Sequence, residues 1–215
     1  MAHMEIGPAF GLDPIAGIDA NWAQMKRIWS GKPEDAQHRS RALRAIRRAT
    51  MESNELNVEY GYRYDSAAIV PDGTPEAQPI DPIRLYEPGT RPGSPLPHAW
   101  IDDEAGARRP LKDLVGPGRF LLIAGEDGEA WCAAARTLGS GSGVALDCVR
   151  IGELDGDYYD SRLAWTQYRG IGRTGAVLVR PDRFIGWRSD GAADDPFREL
   201  ALALGKILGK PIAGA

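Results

Sequence analysis

Proline is concentrated in one part of the chain, and this concentration limits the folds that the sequence can adopt. Eight of the 16 prolines lie between residues 71 and 97. Because proline lacks a backbone N–H donor, such density excludes a regular helix or a central strand and favours extended backbone. Apolar residues such as Ile80, Leu85 and Leu96 punctuate the segment. We therefore predict a strap that crosses a protein surface and is pinned there by these side chains.

Two amphipathic helices are predicted before the strap. Apolar residues at helical spacing predict the first, namely Ile18, Trp22, Met25, Ile28 and Trp29. The second begins near Pro33, which suits a first helical turn, and continues to Met51. Two such helices cannot bury both apolar stripes against each other alone. The sequence therefore predicts that they pack on a further body of protein.

The second helix also carries five arginines, and these have two readings. The residues are Arg39, Arg41, Arg44, Arg47 and Arg48. They could form a nucleic-acid-binding face, but aromatic residues do not interleave with them, as single-stranded nucleic-acid binding would favour. We therefore favour a solvated or interdomain face.

Three tyrosines, Tyr60, Tyr62 and Tyr64, alternate along residues 58–64, which we predict to be extended. Their rings could line an aromatic substrate site. Amphipathic packing, with the hydroxyl groups at a wet edge, is the favoured interpretation.

Strands and helices alternate after residue 109. The first predicted elements are a short strand at 98–101, a buried strand at Phe120–Ala124, a helix at 129–138, a strand at 144–151 and a helical piece at 161–168. A β-hairpin follows, and its strands, Ala176–Val179 and 184–187, are joined by a turn at 180–183. Asp195 as N-cap and Gly209 as terminator delimit the last helix. The order from residue 120, β-α-β-α-β-β-α, is that of thioredoxin.

The predicted fold class is therefore α/β, with a thioredoxin-like C-terminal domain preceded by a helical segment and the proline-rich strap. We divide the chain into residues 1–64 as the helical segment, 65–108 as the connector and 109–215 as the thioredoxin-like domain.

The predicted fold makes Cys132 the first candidate for chemistry, because active thioredoxins open a C-x-x-C motif at the start of the first helix. Here three alanines follow Cys132, so no resolving cysteine is present. Cys132 also lies about a turn inside the predicted helix, where the effect of the helix dipole fades. Thr174-Gly175 stands where thioredoxins have a cis-proline. A monothiol redox protein using Cys132 is therefore a minor alternative.

The second cysteine, Cys148, is predicted to lie in the second strand and to be part of the hydrophobic core. Two cysteines are too few for a disulfide framework. We therefore expect reduced thiols and a cytoplasmic protein.

The remaining motifs do not make a site. Residues 170–175 match G-x-G-x-x-G, but a strand follows where a dinucleotide site needs a helix, so we predict a turn. The Gly-Ser run 139–143 is predicted to be a flexible connection and lacks the Lys-Ser/Thr of a phosphate-binding loop. His3, His38 and His98 have no metal-ligand spacing with the cysteines. We predict no catalytic, cofactor-binding or metal-binding residue in this chain.

Charge and hydropathy exclude two classes of partner. The net charge of −4 provides no basic footprint for nucleic acid. No apolar run approaches the roughly 18–20 residues of a membrane span, and the N-terminus has no signal-peptide pattern. Hydrophobic residues make up 43% of the chain, which suffices for a packed core. We therefore expect no nucleic-acid partner and no membrane.

Several segments together resemble one family. They are GYRYDSAAIVPDGT (61–74), TRPG (90–93), PHAW (97–100), DLVG (113–116), LVRPD (178–182) and GWR (186–188). In this order, and over nearly the whole chain, they resemble the C-terminal part of FAD-dependent aromatic hydroxylases of the phenol hydroxylase and 2,4-dichlorophenol 6-monooxygenase type.

The resemblance implies a thioredoxin-like domain without redox cysteines, and a reaction in which NAD(P)H reduces FAD and oxygen is transferred to a phenolic ring. The flavin and nicotinamide motifs of the family lie before the segment that this chain matches. The expectation is thus a truncated or separately encoded C-terminal portion with a structural or dimerisation role, inactive alone and binding no FAD. Its implied partner is the flavin-binding body, in the same or a separate chain, or a second copy in a homodimer.

The alternative is a stand-alone thioredoxin-like interaction module that docks on a separate flavoprotein. The resemblance assigns no role to Tyr60, Tyr62 or Arg63.

Overall fold

Helices form the N-terminal part of the computed structural model, which describes residues 2–52, 54–75 and 78–212. They are α1 (Ala2–Ala9), α2 (Ile18–Ile28), α3 (Ala36–Glu52) and α4 (Leu56–Tyr60), with a 3-10 turn at Pro33–Asp35 before α3. The two predicted helices are therefore present as α2 and α3. The predicted extended segment at 58–64 is wrong at its start, because residues 58–60 belong to α4.

A seven-stranded mixed sheet dominates the rest of the chain. Its strands are β1 (Trp100–Asp102), β2 (Arg108–Pro110), β3 (Phe120–Ala124), β4 (Leu146–Gly152), β5 (Tyr158–Tyr159), β6 (Ala176–Val179) and β7 (Ile185–Ser189). Their order across the sheet is β2-β1-β5-β4-β3-β6-β7. β3 and β4 are parallel, whereas β6 is antiparallel to both β3 and β7. The predicted hairpin is thus present, and the short strand β5 is an element that the sequence did not predict.

Three helices accompany the sheet: α5 (Glu129–Ser142), α6 (Ala164–Tyr168) and α7 (Pro196–Leu208). Asp195 caps α7 by accepting a hydrogen bond from the backbone N–H of Arg198, and Gly209 ends it in the left-handed region, as predicted. The predicted flexible connection at 139–143 is wrong, because α5 continues through Ser142. The hydroxyls of Ser140 and Ser142 donate to the carbonyls of Arg136 and Leu138, one helical turn earlier, so these polar groups are satisfied within the helix.

The core lies on both faces of β3 and β6, whose residues are all buried. On one face, Leu122 and Leu178 pack with the apolar sides of α5 and α7. On the other, Ile123 and Val177 pack with Ile101 and Trp165. Because both faces are covered, these strands read as continuous apolar runs.

Parts of the strap lie along the outer edge of β7. The backbone N–H of Val70 donates to the carbonyl of Gly186, and that of Gly93 donates to the carbonyl of Ile185. The N–H of Ile185 in turn donates to the carbonyl of Ser94. These bonds cover a sheet edge that would otherwise expose unpaired backbone groups.

Leu96 of the strap is fully buried, as predicted, but Ile80 and Leu85 are 84% and 50% exposed, so the prediction that these two side chains pin the strap is wrong. Residues 76 and 77 of the strap lie outside the described part of the chain.

Two compact units divide the chain. One comprises Met1–Val58 with Asp81–Leu85, and the other comprises Glu59–Ile80 with Tyr86–Ala215. None of the helices in the described residues is long and apolar enough to cross a membrane.

Candidate functional site

Charged side chains fill the loop after β3, which leads into the helix that carries Cys132. Glu126 is 3% exposed and forms an ion pair with Arg173. Its Oε2 also accepts a hydrogen bond from the backbone N–H of Glu153 at 3.3 Å. Arg173 Nε donates to Asp127 Oδ2 at 2.7 Å. The loop is therefore closed by ion pairs at the carboxyl ends of β3 and β4, the edge where α/β sheets often bind ligands.

The electrostatics of this cluster are those of a satisfied structural network. The hydrogen bond from Arg173 holds the pKa of Asp127 below its usual range, and the same bond raises the pKa of Arg173. Arg150 Nη1 donates to the carbonyl of Glu126 at 2.9 Å and to Glu129 Oε1 at 2.5 Å. Gly125 allows the loop to pack closely, because a Cβ there would lie 2.2 Å from the carbonyl oxygen of Arg173. The Asp127 carboxylate therefore stays ionised and paired with Arg173, so it is not available as a general acid near neutral pH.

The cysteines contradict the expectation of reduced thiols. Cys132 and Cys148 form a disulfide with a Cα–Cα distance of 5.4 Å. The prediction of reduced thiols is wrong, because the fold brings Cys132 next to Cys148, which lies 16 positions further along the chain and outside C-x-x-C spacing. The bond instead joins the first turn of α5 to the middle of β4, elements that pack together. Cys132 is 4% exposed, so it is not a free monothiol at the surface.

Trp131 ties α5 to both ends of the hairpin. Its indole N–H donates to the carbonyl of Thr174 at 2.9 Å and lies 3.3 Å from that of Gly191. Its ring meets Trp187 of β7 edge-on, with centroids 5.3 Å apart. Trp131 is 1% exposed. It is therefore a core anchor and not part of an accessible redox site.

The glycine run 170–175 is a turn into β6, as predicted. β6 begins directly after it at Ala176, and the short helix α6 precedes it. A Cβ on Gly175 would lie 2.5 Å from the carbonyl oxygen of Asp190, so the turn packs against the end of β7. No helix N-terminus follows the glycines to receive a pyrophosphate.

Arg188 of β7 holds the strap. Its Nε donates to Asp72 Oδ2 at 2.5 Å, and its Nη2 donates to the Thr74 hydroxyl at 2.9 Å. Its Nη1 lies 3.3 Å from the Thr90 hydroxyl. The side chains of Arg188 and Asp72 are 15% and 13% exposed. Sequence reasoning missed this cluster, although all four residues lie in the segments that carry the family resemblance.

Replacement of Arg188 by alanine should lower the free energy of unfolding by about 2–3 kcal/mol, because it leaves Asp72 largely buried without its charged partner. Urea denaturation measures this loss. Arg119→Ala is the matched control: the side chains of Arg119 and Asp147 are 44% and 41% exposed, so that change should cost less than about 1 kcal/mol. Equal losses in the two variants would contradict a stabilising role for the buried ion pair between Arg188 and Asp72.

The ion pair between Arg188 and Asp72 should also weaken in acid. Burial of Asp72 acts to raise its pKa, but hydrogen bonds from Thr74 and Arg188 outweigh burial, so its pKa lies below the usual range. The stabilisation is therefore complete above the unfolded value of about 4 and is lost as pH falls through the folded value. The difference in unfolding free energy between wild type and Arg188→Ala should shrink at pH values below about 4.

The tyrosines pack as the favoured interpretation predicted. Tyr60 lies 6.1 Å from Tyr86 between ring centroids, and Tyr64 lies 4.7 Å from Phe184. Tyr62 meets both Tyr64 and Phe184. All three tyrosines are 44–49% exposed, which leaves one side of each at a wet surface.

Metal-ligating groups do not converge in the described residues. No group of three or more His, Cys, Asp or Glu side chains there could hold a metal ion. His98 packs edge-on against Trp100, and the side chain of His3 lies outside the described part.

Three exposed apolar side chains form a line along one side of α2, which we call the apolar line. Ile18, Trp22 and Trp29 are 73%, 56% and 70% exposed. Helical geometry places them within about 40° of one another around the helix axis, so they lie on one side of it. Ile28, on the adjoining side, is 6% exposed. Arg41 of α3 donates to the carbonyl of Pro8, so part of the arginine face serves packing within this unit. Large aromatic side chains in an exposed line are typical of an interaction surface.

A family model described as aromatic-ring hydroxylase, C-terminal, matches residues 89–211, which is more than half of the chain. The match covers the sheet, α5 to α7 and the end of the strap.

Curated relatives extend the match to nearly the whole chain. 2,4-Dichlorophenol 6-monooxygenase from Cupriavidus pinatubonensis is 35% identical over 209 residues, which cover 95% of this chain and 34% of that protein. The enzyme of the same name from Delftia acidovorans is 38% identical over 204 residues, covering 93% and 34%. The chain thus spans about a third of the length of the curated relatives it matches.

A solved structure shares the fold over almost every residue. The crystal structure of the flavin-dependent monooxygenase PieE in complex with FAD and substrate matches with a TM-score of 0.76 and 33% identity. The match covers 98% of this chain and 36% of that one.

Proposed function

The chain belongs to the aromatic-ring hydroxylase family, as its C-terminal region, and on this premise we propose that it docks on the flavin-binding body of an aromatic-ring monooxygenase and supports it structurally. The exposed apolar line on α2, formed by Ile18, Trp22 and Trp29, carries this proposal. Exposing these side chains to water is unfavourable, and burying each would contribute about 1.5–3 kcal/mol. The relatives are about three times as long as this chain, so a body large enough to cover the line exists in the family.

The finer description of the fold is thioredoxin-like. Its support is the parallel pair β3–β4, the antiparallel hairpin β6–β7, and the packing of α5 and α7 on one face of the sheet. Where thioredoxins carry catalytic cysteines, this chain has the ion-paired loop of Glu126, Asp127 and Arg173. We infer that this loop is stabilised by ion pairs and has a structural role at the position where thioredoxins have their catalytic loop.

Among the described residues, the glycine-rich run that most resembles a dinucleotide site does not fit FAD or NAD(P)H. The one G-x-G-x-x-G run turns into β6 and packs on the backbone of Asp190, so it cannot seat a pyrophosphate. We assign both cofactors to the flavin-binding body, where the flavin supplies oxygen chemistry on a phenolic ring. In the hydroxylation the role of this chain is packing and support, and we route no step of that reaction through its side chains.

Association with a flavin-binding body tests the proposal. The body would be the Delftia acidovorans enzyme without its C-terminal region, mixed with this chain and followed by gel filtration and calorimetry. Wild type should bind, and Ile18→Ser/Trp22→Ser should bind about 100-fold more weakly, because central aromatic contacts each contribute 2 kcal/mol or more. Leu202→Ser is the matched control, since Leu202 is 56% exposed on α7, which belongs to the other compact unit.

Three results would overturn the proposal. They are stoichiometric FAD bound to this chain alone, equal binding by wild type and the α2 variant, and a twofold mass of the chain alone that the α2 variant abolishes. The last result would assign the apolar line to a second copy.

A further inference from the structure

The disulfide between Cys132 and Cys148 has no part in the docking role proposed above. It links the first turn of α5 to the middle of β4 across 16 positions of sequence. Both cysteines belong to the cluster formed by the sheet, α5 and α7. Its chemistry depends on whether solvent thiols can reach one of its sulfurs.

The two sulfurs differ in their surroundings. Cys132 is 4% exposed and lies in α5 between the buried residues Trp131 and Ala135. Cys148 is only partly buried and lies on β4. On the side of β4 away from β3, β5 pairs only with Ile151 and Gly152. In the described part of the chain, residues 146–150 therefore have no strand on that side.

We propose that this disulfide is a thiol-exchange site and that small thiols or protein dithiols attack it at Cys148. Approach along the open edge of β4 reaches Cys148 first, because the helix and the core shield Cys132. The burial difference thus sets the direction of attack. Exposed or accessible disulfides are the ones that exchange, whereas sealed ones are inert.

The exchange balances in two steps. The thiolate of the incoming thiol bonds to Sγ of Cys148, the Cys132–Cys148 bond breaks, and its electron pair leaves on Sγ of Cys132, which takes a proton. A second thiolate then attacks the mixed disulfide and releases Cys148 as a thiol. Cys132 and Cys148 gain two electrons and two protons, and the two external thiols are oxidised to a disulfide.

The leaving sulfur belongs to α5. Cys132 is the fourth residue of α5, which begins at Glu129. The effect of the helix dipole fades at this depth, so the proposal depends on the access to Cys148 and not on stabilisation of the Cys132 thiolate. Opening the bond removes the covalent link between α5 and β4 and leaves their packing.

Peptide mass spectrometry tests the direction of attack on the wild-type chain. Air-oxidised protein is treated with glutathione, quenched in acid and digested with trypsin. The cysteines then lie in separate peptides, residues 120–136 and 137–150. We expect the glutathione adduct on the peptide with Cys148. An adduct on the peptide with Cys132, or a disulfide that native protein does not open while urea-unfolded protein does, overturns the proposal.

Single variants measure accessibility directly. In Cys132→Ser the remaining Cys148 should react with an aromatic disulfide reagent about tenfold faster, or more, than Cys132 does in Cys148→Ser. Both rates are measured again in urea, where they should become similar. Equal rates in the native variants overturn the proposal. So does a wild-type chain that keeps both thiols free after oxidised glutathione, and neither result affects the family assignment.

Discussion

Trp131→Ala should lower the free energy of unfolding by about 3–5 kcal/mol, the cost of removing a large buried aromatic side chain. Trp131 is 1% exposed and packs against Trp187, so its loss leaves a cavity between α5 and β7. The carbonyls of Thr174 and Gly191 lose their indole donor as well. Urea or thermal denaturation measures the change, which is a large fraction of the roughly 5–15 kcal/mol by which natural domains are stable.

Two controls separate these causes. Trp131→Phe keeps an aromatic ring but removes the N–H donor, so it should cost about 1–2 kcal/mol, plus whatever the smaller ring leaves unfilled. Trp29→Ala removes a tryptophan that is 70% exposed and should change stability by about 0.5 kcal/mol or less. A loss below about 1 kcal/mol in Trp131→Ala would contradict its role as an anchor.

Reduction of the Cys132–Cys148 disulfide should lower the free energy of unfolding by about 3 kcal/mol. The bond closes a loop of 16 positions, and cross-links of that size restrict the unfolded chain by about this amount. The measurement is urea denaturation of wild type with and without a phosphine reductant. The effect acts on the unfolded chain, so it does not depend on which sulfur is attacked first.

Cys132→Ala/Cys148→Ala is the control for reduction. Its unfolding midpoint should be the same with and without reductant, and its stability should lie near that of reduced wild type. A wild-type midpoint that the reductant leaves unchanged, in protein shown by alkylation to be oxidised beforehand, would contradict the prediction.

Local signals in the sequence were sufficient for most elements. The apolar runs at Phe120–Ala124 and Ala176–Val179 are buried strands, and Asp195 and Gly209 bound α7. Each of these depends on burial periodicity or capping by near neighbours. The family resemblance, based on short segments in the right order, is confirmed by the family model and the relatives.

Local signals failed where packing overrode propensity. The Gly-Ser run at 139–142 is helical, although each glycine in a helix costs about 1 kcal/mol relative to alanine. Residues 58–60 are helical rather than extended. The two-residue strand β5 has no periodicity to read and is defined by its pairing with β4 and β1.

The sequence by itself determined most of the helices and strands, the proline-rich strap and the family, because these depend on residues close together in the chain or on ordered motifs. The short elements α1, α4, β2 and β5 were not predicted. Only the tertiary structure decided which distant side chains meet. Arg188 reaches Asp72 across 116 positions, Cys148 reaches Cys132, and Arg173 closes the loop of Glu126. Such contacts depend on which faces of the sheet and strap come together, and side-chain spacing along the chain does not encode them. The exposed line on α2 follows the same rule: periodicity predicted an apolar stripe, and only the packed structure showed which of its residues are uncovered.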